Sequence, residues 1–522
     1  MYRKMKISVL TIALLTIGMG AMAQQKQPEG SWSDHVAEGF GNLSTSDHLY
    51  IDTPEQLALL AKNVNGGNDY SGCVITLGKD IDLSAHYWEP IGYGTSGEGE
   101  GGKNFRGTFD GGNHTISGIY IDDEGGIGVG LFGYIYNPAC IKNLTISNSN
   151  IKGNFLVGAI VGNYCGGAND DQVGIFNCHV TNDVVVTAVP FDGYTGSNAG
   201  GIIGYIEYAN MVGCTSAASV EGDEMVGGIA GQILGEAQTP CSLTDCYYVG
   251  NSVTCHEEDP GMIVGYNENG VYNISLLNND LQEDINNTTR ISNYEGLTVN
   301  LKLEGRTLYK DNSWNTLCLP FALDDLTGTP LAGATVKEFD SSEFDSENTL
   351  TLNFNYADGI DAGYPYIVKW EVEENKEVDD IVSPEFTNVA ITSITPMDIT
   401  GGDEVANFHG IYSSYSTGGK NRKMLYLGYD NLLYYPESNM TINSFRAFFQ
   451  LTGVTAGDLD LEDGGINSFV LNFGDQMTGI SPTTYSSPLT SETWFTLDGR
   501  KLNGQPSAKG IYINKGQKIV IK

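Results

Sequence analysis

The chain has 522 residues, with 27 basic against 64 acidic side chains and a net charge of −37. That balance repels nucleic acid and anionic lipid, so neither is an expected partner. Glycine occurs 67 times without a G-x-y period, which excludes collagen, and nine cysteines are too few for a disulfide scaffold.

In chain order, Arg3, Lys4 and Lys6 precede an apolar run from Ile7 to Met19, and Ala21-Met22-Ala23 supplies a small-x-small cleavage pattern. Residues 1–23 therefore read as a signal peptide, with Gln24 as the first mature residue. The run is shorter than the ~20 residues that span a bilayer, and no other long apolar stretch occurs, so no membrane span is expected. This reading places the protein extracellularly or on the outer cell surface, with the periplasm as the remaining compartment.

Thr53-Pro54-Glu55-Gln56 combines an N-cap, a proline at the first helical position and a glutamine at the third. Leu57, Leu60, Ala61 and Val64 then recur at helical spacing, which predicts a short amphipathic helix covering the open end of the downstream strands. Strands are predicted at Cys73–Leu77 and Phe105–Phe109, with a turn at Asp110-Gly111-Gly112-Asn113.

A Gly-x-x-x-Gly unit, one residue shorter in its first copy, closes at Gly133, Gly162, Gly204, Gly231 and Gly265. These closing glycines are 27 to 42 residues apart, about one solenoid coil each. A candidate strand comes after each, centred on Leu144, Cys178, Cys214, Cys246 and Ile274. A single copy cannot bury its apolar side, whereas copies stacked at ~4.8 Å form an inward ladder of those residues. Asn143, Asn177, Asp245 and Asn273 flank the ladder as turn-stabilising residues, and the glycines are expected to allow positive φ at coil corners and close approach of backbones. For Cys178, Cys214 and Cys246 two states stay open: disulfides between neighbouring coils, or free thiols packed as small apolar groups.

Residues 50–279 resemble the GLUG-motif proteins exported by Gram-negative bacteria of the gut type. The resemblance rests on Ile51-Asp52-Thr53-Pro54-Glu55-Gln56-Leu57, Asp80-Ile81-Asp82-Leu83, Trp88-Glu89-Pro90-Ile91-Gly92 and Gly107-Thr108-Phe109-Asp110-Gly111-Gly112-Asn113-His114-Thr115-Ile116. It implies a right-handed parallel β-helix with an N-terminal helical cap, here over residues 45–288, of a kind found in adhesins and in accessory regions of surface enzymes. Val212-Gly213-Cys214 departs from the sister copies in lacking their asparagine, and longer insertions carry Asp170-Asp171 and Tyr194.

Beyond residue 286 the glycine unit stops, and residues 291–478 alternate polar with apolar, as in Leu297–Leu303 and Thr349–Phe354. Many short strands with turn residues between them predict a β-sandwich-like domain. Trp314–Phe321 resembles a block that recurs beside such repeats in exported proteins of the same bacterial group. The segment 486–522 looks like the end of a type IX secretion sorting domain, and from Arg500 onward it holds six basic residues and no acidic one, so a small basic β-hairpin folded onto the acidic body is the equal alternative. The fold class expected for the chain is all-β.

No chemistry-bearing motif emerges. Asp80 with Asp82, Asp122-Asp123-Glu124 and Asp170-Asp171 are the acid pairs a polysaccharide hydrolase would need, but the first sits in the ordinary first-coil pattern. The seven histidines are scattered, with no H-E-x-x-H and no Cys-x-x-Cys. Asp458–Gly464 is not an EF-hand, because its glycine is one place late and Phe469 stands where a bidentate Glu is required. No cofactor is expected, weak calcium binding by acidic surface being the one cation reading.

The leading expectation is a non-catalytic binding or adhesion protein whose repeats face a glycan or a host or cell-surface protein. The aromatic candidates for stacking on sugar rings are Tyr134, Tyr136, Tyr164, Tyr194 and Tyr205; Asp170 and Asp171 join Tyr164 and Tyr194 as ligand-contact candidates. A polysaccharide-active β-helix enzyme and a purely structural surface subunit are the alternatives.

Overall fold

A computed structural model describes residues 27–480 except 43, 94–102, 168–172, 191–196, 238, 281–284, 374–375, 377, 403, 429–430, 458–464, 467 and 475–476, together with strands between 494 and 521. The signal-peptide reading, the insertion residues Asp170, Asp171 and Tyr194, and the Asp458–Gly464 segment lie outside the described residues. Among the described residues the protein is all-β apart from helices Pro54–Asn65 and Asn287–Asn293 and one 3-10 turn.

The helix forms where capping chemistry requires it. Thr53 accepts from the Gln56 amide, the Gln56 side chain accepts from the Asp52 amide, and Leu57, Ala58, Leu60, Ala61 and Val64 are buried. Trp32 adds a second apolar plug, its indole donating to the Leu83 carbonyl.

After the helix each sequence copy contributes one strand to each of several parallel ladders. The longest sheet runs through His48–Ile51, Val74–Leu77, Thr108–Ser117, Cys140–Ser147, Gly174–Val180, Asn210–Val212, Ser242–Thr244 and Val271–Leu277. A second holds Phe132–Tyr136, Val161–Cys165, Ile203–Glu207, Ala230–Leu234 and Val264–Glu268. A third holds Tyr120–Asp122, Asn150–Gly153, Val185–Ala188, Ser219–Gly222 and Val253–Cys255.

Leu144 stands opposite Cys178, and the flanking pairs His179–Thr215 and Thr215–Tyr247 bring Cys214 and Cys246 onto the same row. These four side chains are buried, and all nine cysteines are free thiols. Burial pushes the Cys178 and Cys246 thiols well above the ordinary range, as small apolar packing groups require. Ile274 is buried too, but its strand runs straight and pairs onward with Leu301.

Glycine and asparagine divide the corners between them. Asn143, Asn177 and Asp245 adopt left-handed φ of 54°, 50° and 49°, and in the copy lacking asparagine Gly213 takes 66°. Asn177 donates to the Asn143 side chain, which donates to Asp110, so the turn residues bind one another between copies. The repeat glycines have ordinary φ and serve close approach instead: a Cβ on Gly158 would lie 2.3 Å from the Val161 carbonyl oxygen, and one on Gly162 2.3 Å from the Val129 nitrogen.

The longest sheet continues past the junction expected near residue 290. Thr298–Glu304 pairs in parallel with Val271–Leu277, and Glu385–Ala390 then closes it in antiparallel fashion. Beyond it, a six-stranded sheet that includes Thr335–Phe344 and Thr349–Tyr356 shares an aromatic core with a five-stranded sheet that includes Ala406–Ile411 and Arg446–Leu451. Trp494–Thr496, Lys501–Leu502, Gly510–Asn514 and Gln517–Ile521 make a separate four-stranded antiparallel sheet.

Candidate binding face

The close-packed glycine corner fixes which residue leaves it facing outward. Immediately after each closing glycine come Tyr134, Asn163, Tyr205, Gln232 and Tyr266, and the parallel register sets these five side by side. The bridge between Phe105 and Ile135 adds Asn104 at the head of the same row. The row thus alternates amide and tyrosine over six rungs, with rungs ~4.8 Å apart and tyrosines ~10 Å apart. The next position along the first four strands, Ile135, Tyr164, Ile206 and Ile233, points into the core, whereas Asn267 on the last strand is exposed. The one after it is outward again and holds Tyr136, Cys165, Glu207, Leu234 and Glu268.

Exposure increases along the row. Asn104 is buried, Tyr134, Asn163, Tyr205 and Gln232 are half-buried, and Tyr266 is 42% exposed. The Cys165 thiol donates to Asn163 Oδ1 at 3.3 Å, and Asn198 donates to Gln232 Oε1 at 2.7 Å. Both amides therefore have their oxygen engaged and keep their NH2 donors for another partner. Burial pushes the Tyr134 hydroxyl up to about 12, and burial followed by the Glu207 charge raises Tyr205, so both phenols stay neutral. Arg106 lies 4.7 Å from the centre of the Tyr136 ring at the row's edge and faces Asp69.

Of the aromatic candidates from the sequence, Tyr134, Tyr136 and Tyr205 meet on this face. Tyr164 is a correction: it is fully buried and donates its hydroxyl to the Ala139 carbonyl, so it contacts no ligand. Asn104, Asn163, Gln232 and Tyr266 were missed, although aligning the copies on the closing glycine puts three of the four at one position of the row.

The acids considered for catalysis are engaged locally. Asp80 Oδ1 accepts from the Thr115 amide and faces His114 at 3.2 Å, Asp82 accepts from the Ser84 amide, and Asp122 and Glu124 both pair with Lys152. Among the described residues no three metal-ligating side chains converge.

No family model matches the chain. It is similar to "Halomucin" of Haloquadratum walsbyi, 29% identical over 222 residues, which is 40% of this chain and 2% of that protein. It is also similar to the "Putative Gly-rich membrane protein" of Evansella cellulosilytica, 31% identical over 130 residues, 24% of this chain and 14% of that protein. The chain thus spans a small fraction of the curated relatives it matches. Among solved structures, a "putative immunoglobulin A1 protease" from Bacteroides ovatus matches 49% of this chain and 71% of its own, at 22% identity and a TM-score of 0.34.

Proposed function

We propose that the protein is an exported, non-catalytic binding or adhesion protein of the cell surface. In this reading residues 45–288 form a right-handed parallel β-helix whose outer face meets a glycan or a host or cell-surface protein, and residues 291–478 form a sandwich domain that seats it. The observation that carries the reading is the aligned row Tyr134, Asn163, Tyr205, Gln232 and Tyr266, because rigid tyrosines and amides on a flat sheet form an adaptable polar and apolar contact surface. The basic start with Ala21-Met22-Ala23 supports export, and the basic terminal strands suit a type IX sorting role. One relative is described as a membrane protein, which accords with a surface location. No helix among the described residues is long and apolar enough to cross a membrane.

The test is binding of the full mature chain to a glycan array and to immobilised host matrix proteins. Capture that falls at least ten-fold in Tyr266→Ala supports the reading. Capture unchanged in that variant, or no capture on either surface, overturns it.

A further inference from the structure

Resting on that reading, we infer that the row is a site for an extended, uncharged polysaccharide with a disaccharide period, lying along the stacking direction and anchored at the Tyr266 end. The spacing suits such a chain. Tyrosine recurs on every second rung, ~10 Å apart, with an amide on the rung between. In an extended β-1,4-linked chain each sugar is turned over relative to the last, so the same ring face and hydroxyls return with every disaccharide. One sugar per rung then places alternate rings over Tyr134, Tyr205 and Tyr266 and the intervening hydroxyls over Asn163 and Gln232. Those two amides present donors, because their oxygens already accept from Cys165 and Asn198, and sugar hydroxyl and ring oxygens are acceptors.

Charge narrows the class. The row itself carries no charged side chain, Glu207 and Glu268 border it, and the net charge of the chain is −37, so polyanionic glycans are repelled. Outward positions on two other sheets of the stack carry charge instead: the third sheet places Lys152 beside Asp122, and the longest places Lys142 beside Asp110.

The experiment measures affinity of the full mature chain for cello-, xylo-, manno- and chito-oligosaccharides of two to six sugars, with a hyaluronan hexamer as the acidic control. Support consists of binding to at least one neutral series, strengthening about ten-fold from four to six sugars. Support also requires a loss of at least ten-fold in Tyr266→Ala, with Tyr266→Phe and the off-row Met262→Ala near wild type and all variants sharing the wild-type melting profile. Preference for hyaluronan, or neutral binding indifferent to Tyr266→Ala, overturns the inference. Failure of every oligosaccharide while Tyr266-dependent capture on matrix protein persists overturns it and leaves the binding-protein reading standing. Failure on all surfaces overturns both.

Discussion

In the stacked copies, strands pair in parallel with the next copy and glycine occupies the tightest corners. In the region from Asn315 to Asn472, nearly all pairs are antiparallel, and Phe339, Phe354, Phe408, Phe449 and Phe473 fill the centre. The Phe408 and Phe449 rings stack at 4.5 Å, and Phe339 meets Phe449 edge-on at 5.3 Å. The first region is shaped at its repeat glycines by backbone touching backbone, where no atom can be added. The second is shaped by side-chain volume, where atoms can be exchanged if the total is kept. A flat, regular outer face results from the first arrangement, because every rung must repeat the corner that precedes it.

The largest expected effect breaks that distinction at its root. A Cβ on Gly200 would sit 1.9 Å from the Ile203 carbonyl oxygen and 2.7 Å from the Gly231 nitrogen, with neither neighbour able to rotate away. Gly200→Val is expected to cost more than about 4 kcal/mol, at the extreme of single substitutions. Phe449→Leu in the aromatic core should cost no more than about 1–3 kcal/mol, since its neighbours can repack. Urea denaturation of both variants checks this; equal losses would mean that backbone contact does not set the stack's rigidity.

Next comes the seam between the regions. Asp280 is 8% exposed and accepts from the Asn287 amide at 3.0 Å, the Ser414 amide at 2.9 Å and the Ser444 hydroxyl at 3.1 Å, so one carboxylate ties the last copies to connecting segments more than a hundred residues on. Asp280→Ala strands three donors and should cost about 2–4 kcal/mol. It should also loosen the coupling enough to split a single calorimetric transition into two, leaving the sheet continued by Thr298–Glu304, the Arg446–Asn278 and Asn287–Tyr412 hydrogen bonds and the apolar core that reaches Tyr412 and Phe445. A single unsplit transition in the variant would show that those remaining contacts couple the halves without Asp280.

That continuation marks a limit of what the sequence discloses. Alternation in Leu297–Leu303 reveals a strand with one buried face, but alternation says nothing of which strand it pairs with, and so a domain start is expected where the stack adds a rung. The cap at Thr53 and the row through Leu144, Cys178, Cys214 and Cys246 are legible because capping and stacking are local or repeated. Tyr164 is misplaced for a simpler reason. Tyrosine suits either face of a sheet, and only counting two places from the closing glycine shows that its position is inward, as for Ile135, Ile206 and Ile233. The same count, one place earlier, finds Tyr266 and Gln232, which no residue-type argument singles out.

A smaller effect sharpens the division of labour at the corners. Gly213 stands at the left-handed position its sister copies give to asparagine or aspartate, and a Cβ there would meet nothing within 4 Å. Gly213→Asn should therefore change stability by no more than about 0.5 kcal/mol, because the freedom it removes from the unfolded chain offsets the modest strain of asparagine at that φ. Gly213→Val should destabilise by about 1–2 kcal/mol, the cost of a branched residue at that φ. If asparagine destabilises as valine does, crowding rather than conformation governs the site.

The smallest effect is read from its pH dependence. His256 faces Asp223 at 2.8 Å and Glu221 at 3.2 Å on the preceding rung, and the hydrogen bond to Asp223 raises its pKa above the ordinary 6.5. A group whose folded-state pKa is raised binds its proton more tightly in the folded protein, so its contribution is complete below pH 6.5 and fades as pH climbs through the raised value. His256→Gln should accordingly lower the melting temperature of the stack in mildly acidic buffer and leave it unchanged once the wild-type imidazole is neutral in both states. The gap should shrink with added salt, since all three side chains reach solvent. The aromatic half contains no part of this ion pair, so its transition in Asp280→Ala, once separated, should ignore His256→Gln at every pH. A shift there would mean that the last rungs and the aromatic core unfold as one body even without the Asp280 tie.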